Sequence, residues 1–298
     1  MSVTDSDDQL AAALEERFAT LDEEELDFLK SQTGIVNQDE LNRHVLEVQK
    51  EAFKVFPYSC IQNFNFVKLK ISRLPAYYQL LKLGKEREGA IFLDIGCCFG
   101  NDIRKAISDG FPIHNAIASD LEADFWKLGH RLFNSSSETF PVPFVPGDIF
   151  SPTFLAPSPP FSTPPSTPAP HFPSLTTLTP LLGQVSAIHA SSLFHLFDEA
   201  QQLQLARALA GLLSPLSNSV IFGSHGGRPE KGFRERPRER GGRMFSHSPE
   251  SWKEMWEEEV FGRGEVRVEA ELKEGRMRSG SRDEEGRAWR LVWSVTRL

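Results

Sequence analysis

Ile91-Phe92-Leu93-Asp94-Ile95-Gly96-Cys97-Cys98-Phe99-Gly100-Asn101-Asp102 decides the reading of this chain. The apolar run ending in Asp-x-Gly-x-x-x-Gly reads as a buried strand, a tight turn and the start of a helix. Glycine permits both the sharp bend and the close approach of a ligand to the backbone. In parallel sheets such turns lie outside the carboxyl ends of the strands, where nucleotide-type ligands bind. The spacing then narrows the ligand. A dinucleotide fingerprint needs G-x-G-x-x-G, and counting from Gly96 the later glycine places hold Cys98 and Asn101. A phosphate-cradling loop ends in Gly-Lys-Ser/Thr, and Gly100-Asn101-Asp102 has neither the lysine nor the hydroxyl. Asp94, just before the first glycine, repels a pyrophosphate and suits a cationic ligand bearing an amino group.

S-adenosylmethionine carries an ammonium and a sulfonium and no phosphate, so it fits this charge pattern. Further acids stand where that ligand needs them. Ala116-Ile117-Ala118-Ser119-Asp120 reads as a second strand ending in a carboxylate, twenty residues beyond Gly100. A carboxylate there accepts from ribose hydroxyls in doubly wound sheets. Phe144-Val145-Pro146-Gly147-Asp148-Ile149-Phe150 reads as a third strand running into Gly-Asp. Asp148 is placed to accept from an adenine amine, with Ile149 or Phe150 against the ring. Aspartate is common in turns and at helix starts for structural reasons alone, so the argument rests on all three acids in order at strand ends.

With these segments in view, the sequence resembles the class I, seven-strand S-adenosylmethionine-dependent methyltransferases, and within them fungal natural-product enzymes of meroterpenoid-type pathways. The resemblance runs from residues 91–102 through Ile103-Arg104-Lys105, Asp109-Gly110, Ser119-Asp120-Leu121, Leu128-Gly129 and Gly147-Asp148-Ile149-Phe150 to the stretch His189-Ala190-Ser191-Ser192-Leu193-Phe194-His195-Leu196-Phe197. It covers the chain from about Tyr58 onward, and the Cys97-Cys98 pair in the glycine loop is its most specific mark. It implies cofactor contacts at Gly96, Cys97, Cys98 and Gly100, at Asp120 and Leu121, and at Asp148 and Ile149. It also implies a small, largely apolar acceptor, with methylation of a carboxyl or hydroxyl oxygen of a terpenoid or polyketide intermediate.

The pattern around these motifs predicts an α/β fold. Strand signals at residues 91–95, 116–119, 144–145, 185–189 and 219–222 alternate with helices, giving a Rossmann-like, doubly wound, mostly parallel sheet. Residues 266–270 and 289–295 alternate with period two and read as an antiparallel hairpin completing seven strands. A run from Asp198 to Leu213 reads as a helix stopped by Ser214-Pro215. Ser248-Pro249 opens another, with Trp252, Met255 and Trp256 on one face.

Residues 1–88 form a helical cap in this reading, ahead of a catalytic domain at 89–298. Leu10, Leu14, Phe18 and Leu21 recur at helical spacing, and Asn37 with Glu40 resembles a capping box. In the resembled class such a segment folds over the site as a lid. A layer flanking the sheet, or the surface of a homodimer, is the alternative use. Residues 156–180, dense in Pro, Ser and Thr, read as an exposed, mobile insertion. Residues 228–243 hold six Arg and one Lys against three Glu and read as a solvated loop.

Among candidate catalytic groups, His189 and His195 flank the loop after the fourth strand, and His225 ends the fifth. His189 is assigned to the cofactor side. His195 is the candidate general base or orienting donor, a role that a hydroxyl acceptor needs and a carboxylate does not. No triad or metal constellation is evident. The 298 residues carry a net charge of -8, which speaks against a nucleic-acid partner. Three cysteines with no C-x-x-C fit a reducing cytoplasm, and the acidic start Met1-Ser2-Val3-Thr4-Asp5 is unlike a secretory or mitochondrial leader. No apolar run approaches the ~18 residues of a membrane span. The rival from another class is a cofactor-binding scaffold without transferase activity.

Overall fold

A computed structural model describes residues 3–235, 243–275 and 288–298. Its centre is a seven-stranded sheet in the order β3-β2-β1-β4-β5-β9-β8. The strands are β1 Phe92–Ile95, β2 Ala116–Asp120, β3 Phe144–Pro146, β4 Ala187–His189, β5 Val220–Gly226, β8 Val266–Gly275 and β9 Ala288–Arg297. The first five pair in parallel, and β9 pairs antiparallel with both β5 and β8. The order reverses at β1, so the carboxyl ends of β1 and β4 border the crevice in which α/β sheets bind ligands.

Alternation along the strands explains the two-sided core. Phe92 packs on one face with Ala187, Phe222 and Val292, while Leu93 and Ile95 pack on the other with Ile188, Ile221 and Trp293. By the same period, Asp94 and His189 lie on the first face and His225 on the second. Helices α5 Tyr77–Glu86, α6 Asn101–Ser108 and α7 Ala123–Leu132 cover the first face, and α8 Glu199–Leu212 and α9 Pro249–Glu254 the second. Asp198 caps α8 through a capping box with Gln201, and α9 runs on into a π-helical turn, Met255–Val260.

Ahead of the sheet come α1 Val3–Phe18, α2 Glu23–Thr33, α3 Gln38–Val55 and α4 Ser59–Gln62. At the start of α3 only half of the expected capping box forms, the Asn37 side chain accepting from the Glu40 N–H, whereas α2 carries a full capping box between Asp22 and Glu25. These helices share a third apolar cluster with the glycine loop and α7. Phe66 meets Phe99 edge-on at 4.9 Å, and Phe99 meets Phe125 at 5.8 Å. Each such aromatic pair adds roughly 0.5–1.5 kcal/mol beyond its burial. The Asn101 side-chain amide also donates to the Phe66 carbonyl, so the cap is fastened to the loop itself.

Two expectations need correction. In the expected loop at 228–243, β6 Gly232–Glu235 is a strand that pairs with β7 Arg243–Ser246, at and just beyond its end, in a second, two-stranded sheet. Phe233 opposes Phe245 across it with ring centroids 5.3 Å apart, and Arg234 is buried, donating to the Gly227 carbonyl and the Ser246 hydroxyl. The arginines and glutamates in and between the two strands mask their pairing in the sequence. Residues 236–242 of that expected loop lie outside the described residues. The insertion at 156–180 is also tied down. Leu178 is fully buried, Phe172 and Leu175 pack on the main core, and the Phe161 carbonyl accepts from Arg297. A few apolar side chains anchor a segment whose composition alone reads as unattached.

Candidate functional site

β1 ends at Ile95 and the chain turns through Gly96 (φ 69°), Cys98 (φ 51°) and Gly100 (φ 73°) before α6. At Gly100 a Cβ would stand 2.6 Å from the Trp126 ring, so both conformation and space demand glycine. Cys98 takes the left-handed conformation without that freedom, a cost of order 1–3 kcal/mol. Its N–H donates to Asp120 Oδ2 at 2.8 Å, which offsets the strain and locks the turn to the end of β2. Cys97 is buried beneath the turn, and burial, added to by the Asp120 charge, pushes both the Cys97 and Cys98 thiols well above their usual range. All three cysteines are free thiols.

Under the turn lies a buried polar pair. Asp94, only 1% exposed, shares a 2.8 Å hydrogen bond from Oδ1 to His189 Nδ1. His189 Nε2 sits 2.7 Å from the Ser191 hydroxyl, which also accepts from the Ser224 N–H. Burial pulls the imidazole down, but the hydrogen bond and charge of Asp94 outweigh it, so His189 holds its proton above the ordinary range. Burial pushes Asp94 up, and His189 offsets part of that rise. The second oxygen, Asp94 Oδ2, is buried with no hydrogen-bond partner. An orphaned carboxylate oxygen in the interior is costly and calls for an explanation.

Asp120 ends β2 half-buried. Its Oδ2 takes the Cys98 N–H and its Oδ1 the Glu122 N–H, and burial raises its carboxyl above the usual value. Each oxygen keeps a lone pair for a hydroxyl donor. The next residue, Leu121, is 60% exposed, an apolar side chain left uncovered beside the turn. Beyond β3, Asp148 Oδ1 accepts from the Phe150 N–H, leaving its other oxygen available. Ile149 is half-buried, and Phe150 packs edge-on against Phe197 at 4.8 Å. The residues singled out around β1, β2 and β4 are therefore brought together through contacts, whereas Asp148, Ile149 and Phe150 stand at the end of β3 next along the sheet edge.

The histidines divide. His195 lies half-buried in the 3-10 turn Phe194–Leu196 after β4. His225 is 3% exposed, enclosed by Phe194, Trp252 and Trp293, with Nδ1 accepting from the Trp293 indole N–H at 3.0 Å. Burial, reinforced by His195 and His247 nearby, drives His225 far below its usual range, so it stays neutral with its proton on Nε2. His247, beside Ser251 at 2.9 Å, is lowered by burial to about 4.

Sequence reasoning missed Tyr58 and Lys70, both from the cap. Burial pushes the Tyr58 hydroxyl up to about 12, assisted by the charges of Asp120 and Glu122, and its ring packs on Phe125. Lys70 is half-buried and close enough to Cys60, Cys98 and His189 to act on each of them. Nothing in the mixed polar and apolar run from Tyr58 to Lys70 sets these two apart from Ser59, Gln62, Asn63, Asn65 and Lys68 around them. Among the described residues, no group of His, Cys, Asp and Glu is arranged to hold a metal ion, and no helix is long and apolar enough to cross a membrane. A groove of about 500 Å³ lined by Glu23, Glu24, Asp27 and Lys105 lies at the far end of α6, away from the strand ends.

Fold and site together define an α/β protein with a ligand-binding crevice at the carboxyl edge of its sheet. Comparison with known proteins agrees with the resemblance read from the sequence. Residues 14–67 match the family described as "Meroterpenoid methyltransferase N-terminal domain". The chain is 31% identical over 214 residues to the O-methyltransferase phiE of a fungal species (strain ATCC 74256), covering 71% of this chain and 62% of that protein. It is 34% identical over 184 residues to the Asnovolin E/Chermesin D methyltransferase nvfJ of Aspergillus novofumigatus, covering 62% of this chain and 58% of that one. The match thus spans less than two thirds of the length of either relative. A solved structure, the Burkholderia thailandensis 1,6-didemethyltoxoflavin-N1-methyltransferase, superposes with a TM-score of 0.46 at 12% identity, covering 85% of this chain and 88% of that one.

Proposed function

We propose that this chain is an S-adenosylmethionine-dependent methyltransferase acting on an oxygen of a small, largely apolar natural-product intermediate. The observation that carries the reading is Asp94 Oδ2, a buried carboxylate oxygen with no partner beneath a glycine turn that has no lysine or hydroxyl for phosphate. It fits the ammonium of the cofactor's methionyl end. When bound, S-adenosylmethionine supplies a methyl group already activated by its sulfonium.

The residues of the chain then divide the work. Gly96, Cys97, Cys98 and Gly100 give the backbone contour against which the cofactor lies, and His189 orients Asp94. Asp120 accepts from ribose hydroxyls, with Leu121 along the apolar edge of the nucleoside. Asp148, with Ile149 and Phe150, takes the adenine. Residues 1–88 cover the site as a lid. His195 stands on the acceptor side, as a base or orienting donor where the acceptor is a hydroxyl. Methylation at oxygen follows the printed activity of the similar phiE protein, and a terpenoid or polyketide acceptor follows the company these relatives keep. Free thiols and an acidic charge balance suit a cytoplasmic enzyme with no nucleic-acid partner.

The test is transfer from methyl-labelled S-adenosylmethionine to a panel of apolar acids, phenols and alcohols. The reading expects label in product. Base-labile label identifies an ester and leaves His195 without a proton to remove; base-stable label gives His195→Ala a large fall in turnover at unchanged cofactor affinity. Absence of transfer to every class of acceptor contradicts the reading.

A further inference from the structure

Three consecutive residues after the 3-10 turn Asn65–Val67 treat charge very differently. Lys68 Nζ is paired with Glu25 Oε2 at 3.1 Å, and the Leu69 N–H donates to the other oxygen of the same carboxylate at 3.2 Å. Lys70 has no carboxylate partner among the described residues, although it is half-buried. Its neighbour Ile71 is fixed, fully buried and donating its N–H to Asp102 Oδ1 at 2.9 Å. Asp102 is the second residue of α6, directly after the glycine turn. The backbone at Lys70 is thereby clamped against the start of α6, and the Asn101–Phe66 bond clamps it from the other side.

Ile71 packs in the apolar cluster of the sheet face that carries Asp94 and His189, and Lys70 beside it stands close enough to His189 and Cys98 to act on both. Asp94 meanwhile offers an unpartnered carboxylate oxygen but takes His189, not Lys70, as its hydrogen-bonding partner. His189 occupies only one oxygen of Asp94, and a buried acceptor left without a donor is costly unless a ligand supplies one. Two opposite charges kept apart beside one loop match a ligand that is itself a zwitterion. The amino-acid end of S-adenosylmethionine is such a ligand.

We propose that Lys70 is a positioning residue that grips the α-carboxylate of the cofactor while Asp94 takes its ammonium. The cap is then part of the cofactor site, since the segment that supplies Lys70 arrives with the helices before it. This inference rests on the cofactor assignment above. Lys70 works as a point charge with rotatable donors, so arginine in its place retains much of the effect.

Calorimetric titration of the full chain separates the two ideas. The probes are S-adenosylhomocysteine and its decarboxylated analogue, 5′-deoxy-5′-(3-aminopropylthio)adenosine. Lys70→Met should weaken S-adenosylhomocysteine by about 10- to 100-fold, the range for loss of a charge-assisted hydrogen bond. It should leave the decarboxylated analogue within about twofold of the wild type, and Lys70→Arg should restore most of the lost affinity. An equal loss for both probes, or no loss for either, overturns the assignment of Lys70 while leaving the cofactor reading in place. Failure of the wild type to bind S-adenosylhomocysteine overturns both. Unchanged thermal unfolding of Lys70→Met shows that the loss is not one of folding.

Discussion

Two buried histidines sit at the ends of adjacent strands and carry opposite electrostatic states. His189, at the end of β4, is 2% exposed and hydrogen-bonded to Asp94; His225, near the end of β5, is 3% exposed and hydrogen-bonded to Trp293. Burial acts downward on both. A carboxylate neighbour reverses the outcome at His189, while an indole donor at His225 leaves burial unopposed. The β1–β4 end of the crevice is thus built to keep charge and the β5 end to exclude it. The first suits a charged ligand and the second is dry core packing.

Breaking the apolar side should have the largest effect. Trp252 is fully buried against Phe194, His225, Trp256 and Trp293. Trp252→Ala should cost about 3–5 kcal/mol in urea unfolding, as for other large-to-small core changes. A loss under about 1 kcal/mol would mean that this cluster is not core packing.

On the charged side, Asp94→Asn should remove about 3 kcal/mol of stability, because it strips His189 of its compensating charge. S-adenosylhomocysteine binding should fall below detection in the same variant. Retained affinity would deny Asp94 a role toward the ammonium, whatever happened to stability.

The comparison sharpens with pH. His189 has a raised folded value, so its contribution is fully present below about pH 6.5 and is lost as pH rises through that folded value. His225 has a depressed folded value, so the unfolded chain takes up a proton that the folded chain refuses, and its contribution is lost as pH falls below about 6.5. The stability difference between wild type and His189→Gln should therefore grow on acidification from pH 8 to about 5.5, and that between wild type and His225→Phe should shrink. The slope of each is at most about 1.4 kcal/mol per pH unit. Parallel slopes in the two series would erase the distinction.

The charged side was the more legible in sequence, for a physical reason. Asp94, Gly96, Gly100, Asp120 and Asp148 each belong to a local strand-to-turn pattern, and the structure places those strand ends where short windows of sequence put them. Residues 266–270 and 289–295 declared their hairpin by period-two alternation, and the structure pairs β8 with β9. What stayed hidden depends on contacts between distant segments. Nothing local to Phe233 announces Phe245, and nothing at Lys70 or Tyr58 announces that each lies near enough to Cys98 for their charges to interact. The Asp94–His189 pair likewise joins residues 95 positions apart, although each was chosen separately. Leu178 shows the same limit inside a proline-rich stretch, where a single buried leucine outweighs composition.

The most direct measurement is calorimetric titration of the purified chain with S-adenosylhomocysteine and, separately, with NAD. Binding of S-adenosylhomocysteine at one site per chain, with no heat from NAD, is the result this account requires. Binding of NAD without S-adenosylhomocysteine would contradict it at the root, since a pyrophosphate would then sit against Asp94, Asp120 and a turn with no phosphate-binding lysine.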